Sequence, residues 1–240
     1  MDYSYSNEML KQLSEIFKGQ REEIEEAISE ILRTLKEDKI IHTFGSGHSH
    51  MVGLELFIRA GGLGNVNAML DQDVLTSNGA LRSSKLEKLE GLADIIWDEY
   101  NIEKDDIIII ISNSGRNALP IEMALRAKKE GVKVIAITSL KQTKEFESRH
   151  SSGKKLYEIA DIVLDNKVIS GDGILEVEGT RVGAMSSING MFIINTIVTE
   201  VMVRAEMEGI KLPIYKSQNI DSFAENDELY KKYRGRVKLI

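Results

Sequence analysis

Cysteine is absent from all 240 residues, which excludes disulfides, thiolate nucleophiles and thiolate metal sites together. Basic residues are in deficit, 31 against 38 acidic ones, and the net charge of −7 argues against a general nucleic-acid or anionic-membrane surface. An anionic metabolite remains compatible, because a pocket can be positive on an acidic protein. Met1-Asp-Tyr-Ser-Tyr-Ser offers neither a basic n-region nor an apolar h-region. The longest apolar run falls far short of the ~20 residues a membrane helix needs. The expectation is a cytoplasmic protein with no signal peptide, no membrane contact and no nucleic-acid partner. Usual paired-ligand spacings are missing too, so no metal is expected.

What is present is the composition of a folded domain, 42% hydrophobic and 29% charged, in a chain long enough for one large core. The most informative stretch is Asp105-Asp-Ile-Ile-Ile-Ile-Ile-Ser-Asn-Ser-Gly-Arg-Asn117. Five consecutive β-branched isoleucines, 107–111, read as a strand buried on both faces. The strand opens into a turn of two hydroxyls, a glycine and an amide. Residues 119–130 follow with helical spacing, a proline in the first turn and Gly131 as the stop. Backbone N–H groups and the positive end of the helix dipole converge there, and Ser112 and Ser114 add O–H donors: an anion site. No P-loop lysine follows, which disfavours a nucleotide triphosphate and favours a small phosphorylated metabolite. The competing reading is that serine, asparagine and glycine are simply good turn formers, with Asn117 an N-cap and Arg116 in solvent.

The remaining pattern alternates. One long amphipathic helix is expected over 8–37, strands over 40–45, 66–70, 107–111, 132–137 and 159–164, and helices over 49–60, 85–99, 119–130 and 186–208, with a short one after the fourth strand. Residues 166–183 read as a glycine-rich loop and 212–240 as a polar surface tail. Alternating strands and helices imply βαβ units: an α/β fold of three layers around a five-stranded, parallel, doubly wound sheet, its ligand at the carboxyl ends of the strands. The domain division is an N-terminal helix, 1–38, a ligand-binding domain, 39–210, and a tail, 211–240.

Gly45-Ser-Gly-His-Ser-His50 follows the first strand. A dinucleotide fingerprint wants a third glycine where His50 stands, so the glycines are better read as letting a sugar approach the backbone. At 100° per residue, His48, Val52, Glu55 and Arg59 form one stripe of an otherwise apolar helix. Glu55 and Arg59 could be only an i,i+4 ion pair. A carboxylate on a mostly buried helix is also a candidate base. His42 reads as a core residue, whereas His150 lies in a basic, hydroxyl-rich loop that could close over a ligand.

Taken together, Ser112-Asn-Ser-Gly-Arg-Asn117, Gly131-Val-Lys-Val-Ile-Ala-Ile-Thr-Ser139 behind it, and Gly45-Ser-Gly-His-Ser-His50 with Glu55 resemble the motifs of SIS (sugar isomerase) domains. The resemblance covers roughly residues 35–210 and extends to single-SIS bacterial proteins similar to phosphoheptose isomerase. It implies phosphosugar binding by Gly45, Ser46, Gly47, His50, Ser112, Asn113, Ser114, Arg116, Asn117 and Ser186. It also implies aldose–ketose isomerisation with Glu55 as base, His48 or His50 assisting at oxygen, and no cofactor. In phosphoheptose isomerases the last helix carries a catalytic histidine; residues 184–210 contain none. On that helix Ser186, Asn189, Thr196, Glu200 and Arg204 share a stripe, with Glu200 available as a second acid or base. Asn195 lies nearly opposite and needs a partner if buried. An amino-sugar phosphate lyase or etherase, or a non-catalytic phosphosugar sensor, would use the same anion site. The apolar circumference of the last helix fits a homodimer or homotetramer.

Overall fold

The computed structural model describes residues 3–219 and 224–240. In chain order the elements are α1 (Ser4–Glu15), α2 (Arg21–Lys36), β1 (Ile41–Phe44), α3 (His50–Leu56), β2 (Val66–Met69), α4 (Ala80–Leu86), α5 (Leu92–Trp97), β3 (Ile107–Ile111), α6 (Ala118–Glu130), β4 (Lys133–Thr138), α7 (Leu140–Glu145), α8 (Leu156–Ile159), β5 (Ile162–Asp165), β6 (Gly173–Val177), β7 (Thr180–Ala184), α9 (Ser186–Met207) and α10 (Glu225–Tyr233). The five strands expected from the sequence pair in parallel in the order β2-β1-β3-β4-β5. This is a doubly wound sheet with helices on both faces. Its strand order reverses between β1 and β3, the point where such sheets open a crevice at the carboxyl edge.

The isoleucine run explains how two cores grow from one strand. Successive side chains alternate across a pleated strand. Ile107, Ile109 and Ile111 join Ile28 and Ile31 of α2, Val52 and Leu56 of α3, and Ile193, Ile197 and Val201 of α9. Ile108 and Ile110 face the other way, toward Ile96 and Trp97 of α5 and Leu119, Met123 and Ala127 of α6. All five are buried. Each such burial contributes about 1.5–3 kcal/mol.

Five expectations need correction. The single helix over 8–37 is two helices, because Gly19 turns left-handed at φ +73° and ends the first. The Gln20 amide at the break is buried, exchanging hydrogen bonds with the backbone of Asp165, donor Nε2 to its carbonyl at 2.9 Å and acceptor Oε1 from its N–H at 2.9 Å. The helix expected over 85–99 begins earlier and is split by Gly91, φ +89°. The glycine-rich stretch 166–183 carries the β6–β7 hairpin, whose two-residue turn, Glu178-Gly179, has φ +50° and +71°. Positive φ at both central positions is the type I′ turn that suits strand twist. The stretch expected as a surface tail forms α10 and buries Tyr215, Tyr233 and Val237. Among the described residues, α9 is long and apolar enough by length and composition to cross a bilayer, at a mean hydropathy of 1.3, contrary to the expectation that no stretch approached that length. Here one side of it packs on α2 and α3.

Candidate functional site

The loops after β1 and β3 leave the sheet side by side at the switch point, and one carboxylate ties them together. Glu87, at the end of α4, accepts a hydrogen bond from the Ser46 hydroxyl at 3.0 Å and another from the Asn117 amide at 2.8 Å. Its backbone carbonyl accepts from Leu119 N–H in the first turn of α6 at 3.1 Å. Burial pushes the Glu87 carboxyl above the usual carboxylate range, against the pull of Ser46, Lys88 and Arg149. Sequence reasoning missed Glu87. It lies in Lys85-Leu-Glu-Lys-Leu-Glu90, which reads locally as a solvated charged stretch.

The turn after β3 is shaped by Gly115. At φ +58° a side chain is strained, and a Cβ would meet Thr138 Oγ1 at 2.9 Å. Gly115 N–H donates to Ser112 Oγ at 3.2 Å, and its carbonyl accepts from Leu156 N–H at 2.9 Å. Ser112 is buried at the strand end. Among the described residues no hydrogen bond engages the Ser114 hydroxyl or the N–H groups of Ser114 and Arg116. They stand with the α6 N-terminus as free donors for an anion. The Asn113 amide is committed elsewhere, donating to Gln142 at 2.5 Å and accepting from Asn166 at 2.9 Å. Asn117 precedes α6 without capping it through its side chain. Its amide joins Glu87 to Arg149, whose Nη1 donates to Asn117 Oδ1 at 3.0 Å.

In the first loop, Gly45 is needed by the chain itself. A Cβ there would lie 2.7 Å from the Ser49 backbone, so close packing within the loop requires this glycine whether or not a sugar approaches it. Close helix–strand packing falls at Gly53, where a Cβ would meet Thr43 Oγ1 at 2.5 Å. Gly47, at φ +57°, begins a 3-10 turn over Gly47–Ser49 that exposes His48; the His50 imidazole bonds the Gly47 carbonyl.

Glu55 faces α9. Its carboxylate accepts from Asn195 of α9 at 3.2 Å and pairs with Arg59 at 3.3 Å. Met51, Leu54, Phe57 and Met191 surround it in an open pocket. The partner expected for Asn195 is thus Glu55 itself. Glu200 is not brought to the carboxyl edge. It lies fourteen residues along α9 from Ser186, roughly 21 Å at 1.5 Å per residue. Arg204 binds it at 2.9 Å together with Glu25. Ser186 donates to the Asp172 carboxylate at 2.8 Å, at the start of α9.

The basic loop around His150 does reach the site. Arg149 N–H donates to the Arg116 carbonyl at 2.8 Å. Ser151 holds Glu90 through its N–H and hydroxyl at 2.7 and 2.8 Å. The fold also draws Glu90, Glu122 and His150 together, with possible ligand atoms within 4.8 Å of one another, a cluster with no spacing signal in the sequence. Both Glu122 oxygens accept from Gly91 N–H.

Comparison with known proteins agrees with this fold. A family model described as SIS domain matches residues 4–139. A UPF0309 protein of Caldanaerobacter subterraneus is 39% identical over 98% of both chains, and one of Thermoanaerobacter pseudethanolicus 40% identical over 98% of both. Among solved structures, phosphoheptose isomerase from Neisseria gonorrhoeae has a TM-score of 0.57 at 18% identity, covering 83% of this chain and 96% of its own. The Vibrio vulnificus NanR protein complexed with ManNAc-6P has 0.55 at 17%, covering 95% and 67%. At those identities the likeness shows the fold. With the family model spanning more than half the chain and full-length relatives near 40% identity, this protein belongs to the SIS domain family.

Proposed function

We propose that the protein binds a phosphorylated sugar in the crevice between the β1 and β3 loops and catalyses aldose–ketose isomerisation. The observation that carries the reading is the pair of loops stitched by Glu87 at the switch point, with the Ser114 hydroxyl and adjacent N–H groups unengaged at the N-terminus of α6. Phosphate held there by Ser112, Ser114 and the helix dipole positions the reacting carbons through remote binding energy. The base removes the proton from the carbon beside the carbonyl, giving an enediol, and returns it to the neighbouring carbon. Glu55 is that base in this reading, with His48 or His50 assisting at oxygen; Glu87 is the second carboxylate within the loops. No cofactor is required. The unit is a homodimer or homotetramer, because α9 leaves Ile188, Phe192, Val203 and Met207 exposed. The protein acts in the cytoplasm.

A binding-only role as a phosphosugar sensor is favoured by one observation: the Glu55 carboxylate is already engaged by Arg59 and Asn195. One experiment separates the readings. Sugar phosphates that raise the melting temperature are incubated in deuterated water with wild type, Glu55→Gln and Glu87→Gln, and exchange at carbon is followed by NMR. Isomerisation predicts wild-type exchange that falls by roughly 10²–10⁴-fold in Glu55→Gln while binding survives. Exchange lost only in Glu87→Gln moves the base there. Binding with neither exchange nor conversion in wild type leaves the sensor, and conversion by elimination identifies a lyase.

A further inference from the structure

Among the described residues Arg116 stands apart from every other half-buried arginine, and the exposed Arg149 lies beside it in the neighbouring loop. Arg33, Arg126, Arg204 and Arg236 each hold at least two carboxylates, from Glu30 and Glu37 at Arg33 to Glu103 and Asp106 at Arg236. Among the described residues, neither Arg116 nor Arg149 has a carboxylate within ion-pair distance. The two residues are nevertheless joined through their backbones, Arg149 N–H donating to the Arg116 carbonyl at 2.8 Å, and the charge of Arg149 acts on the Arg116 guanidinium. The Arg116 guanidinium rests on the Phe146 ring, 5.2 Å from its centroid, and its Nε is shut off from solvent with no acceptor. Burial and then the charge of Arg149 hold the Arg116 guanidinium below its ordinary value, against the pull of Glu147. Water does not reach the Nε, although Arg149 and Phe146 beside it are exposed. A buried donor left unpaired costs stability, and its retention beside a ligand loop needs an acceptor that arrives from outside.

The phosphate already has its donors in the turn of Ser112 and Ser114, at the start of α6. Arg116 leaves that turn toward Phe146, and Arg149 approaches from the 146–155 loop while donating to Asn117. We propose that Arg116 and Arg149 form a second anion subsite beside the phosphate turn, so that the ligand is a sugar phosphate carrying a further anionic group, a carboxylate or a second phosphate. A planar guanidinium fork matches either group bidentately. The proposal rests on the phosphosugar reading above.

The test is calorimetry with two matched pairs of probes: glucose 6-phosphate against 6-phosphogluconate, and fructose 6-phosphate against fructose 1,6-bisphosphate. Wild type should prefer the doubly anionic member of at least one pair by about ten- to a hundredfold, the range for hydrogen bonds to a charged group. The pair that shows it distinguishes carboxylate from phosphate. In Arg116→Gln and Arg149→Gln, the ratio within that pair should collapse toward one. Arg149→Lys, which keeps the charge and loses the fork, should retain part of it, and thermal melts confirm that each variant is folded. Binding of the members with one anionic group, with no preference in wild type, overturns the subsite alone. A preference that persists in both glutamine variants overturns it as well. If no sugar phosphate binds wild type at all, the phosphosugar reading falls and takes the subsite with it.

Discussion

Ser112 and Ser114 differ in what they already do, and this sets what their loss costs. Ser112 Oγ accepts from Gly115 N–H and so shapes the turn, while the Ser114 hydroxyl is unengaged. Ser114→Ala should therefore weaken sugar phosphate binding with little effect on melting, whereas Ser112→Ala should do both. Each hydroxyl lost from a charged acceptor corresponds to about 1.5–3 kcal/mol, read by calorimetry. Unchanged affinity in the double variant would remove these serines from the site. The Gly115 position admits no substitution of this kind: a Cβ at 2.9 Å from Thr138 Oγ1 and a φ of +58° act together.

At the scale of elements, the β6–β7 hairpin is where a local signal was present but weak. Type I′ turns favour Asn-Gly, and this chain has Glu178-Gly179, with Glu178 at φ +50°. Glutamate carries a left-handed conformation poorly, and asparagine carries it more easily. Glu178→Asn should raise stability by about 0.5–1 kcal/mol, visible as a higher calorimetric melting temperature. A lower melting temperature would mean that Glu178 makes a contribution outside the turn. Helix α3 shows the opposite relation of sequence to element. The Glu55–Arg59 pair was legible from the spacing and forms at 3.3 Å, although the helix expected over 49–60 ends at Leu56 and Arg59 lies beyond it. The Asn195 contact to Glu55 needed α9 to pack alongside, which no local pattern specifies.

For the molecule as a whole, the C-terminal stretch closes a buried network at the amino edge of the sheet. His42 lies between Asn67, at 3.2 Å from Nδ1, and Asp106, at 3.1 Å from Nε2. This pairing assigns the proton to Nε2 and leaves Nδ1 as acceptor. Asp106 also accepts from Ile40 N–H, Glu103 N–H and Arg236. Burial holds the His42 imidazole below its ordinary 6.5, although Asp106 pulls the other way; Arg236 and Glu103 also face it. The unfolded chain then takes up a proton below 6.5 that the folded chain refuses, so stability is present above 6.5 and is lost as pH falls. Burial works to raise the Asp106 carboxyl, but its hydrogen bonds win and hold it below 3.8, which adds a second loss in stronger acid. Glu87 runs the opposite way, since its raised carboxyl favours the folded state in acid and that contribution fades as pH rises. Urea titrations from pH 7.5 to 5 should show falling stability for wild type and a flatter profile for His42→Gln; identical slopes would remove His42 as the cause. Arg236→Ala should cost about 1.5–3 kcal/mol by leaving the Asp106 carboxylate short of a charged donor. Light scattering at micromolar concentration should give at least twice the mass of one chain, and a monomer would refute the assembly read from the exposed face of α9.

The sequence by itself determined the five strands, their parallel arrangement in an α/β sheet and the position of the hydroxyl-rich turn after β3. These are local matters: alternation and β-branching specify a buried strand over a few residues, and a hydroxyl-rich turn before a helix brings its own backbone donors. Tertiary structure decided which side chains share the site. Glu87 lies 41 residues from Ser46, in a stretch whose local pattern reads as solvated charge, and Arg149 lies 32 from Asn117, in the basic loop whose pattern left open whether it closes over a ligand. Only the closing of the sheet brings them to one edge. The same holds for Glu200, whose helical stripe was legible but whose place along α9 puts it beside Glu25 rather than at the loops. Helical spacing gives the direction in which a side chain points, whereas its neighbours depend on which elements the buried faces select.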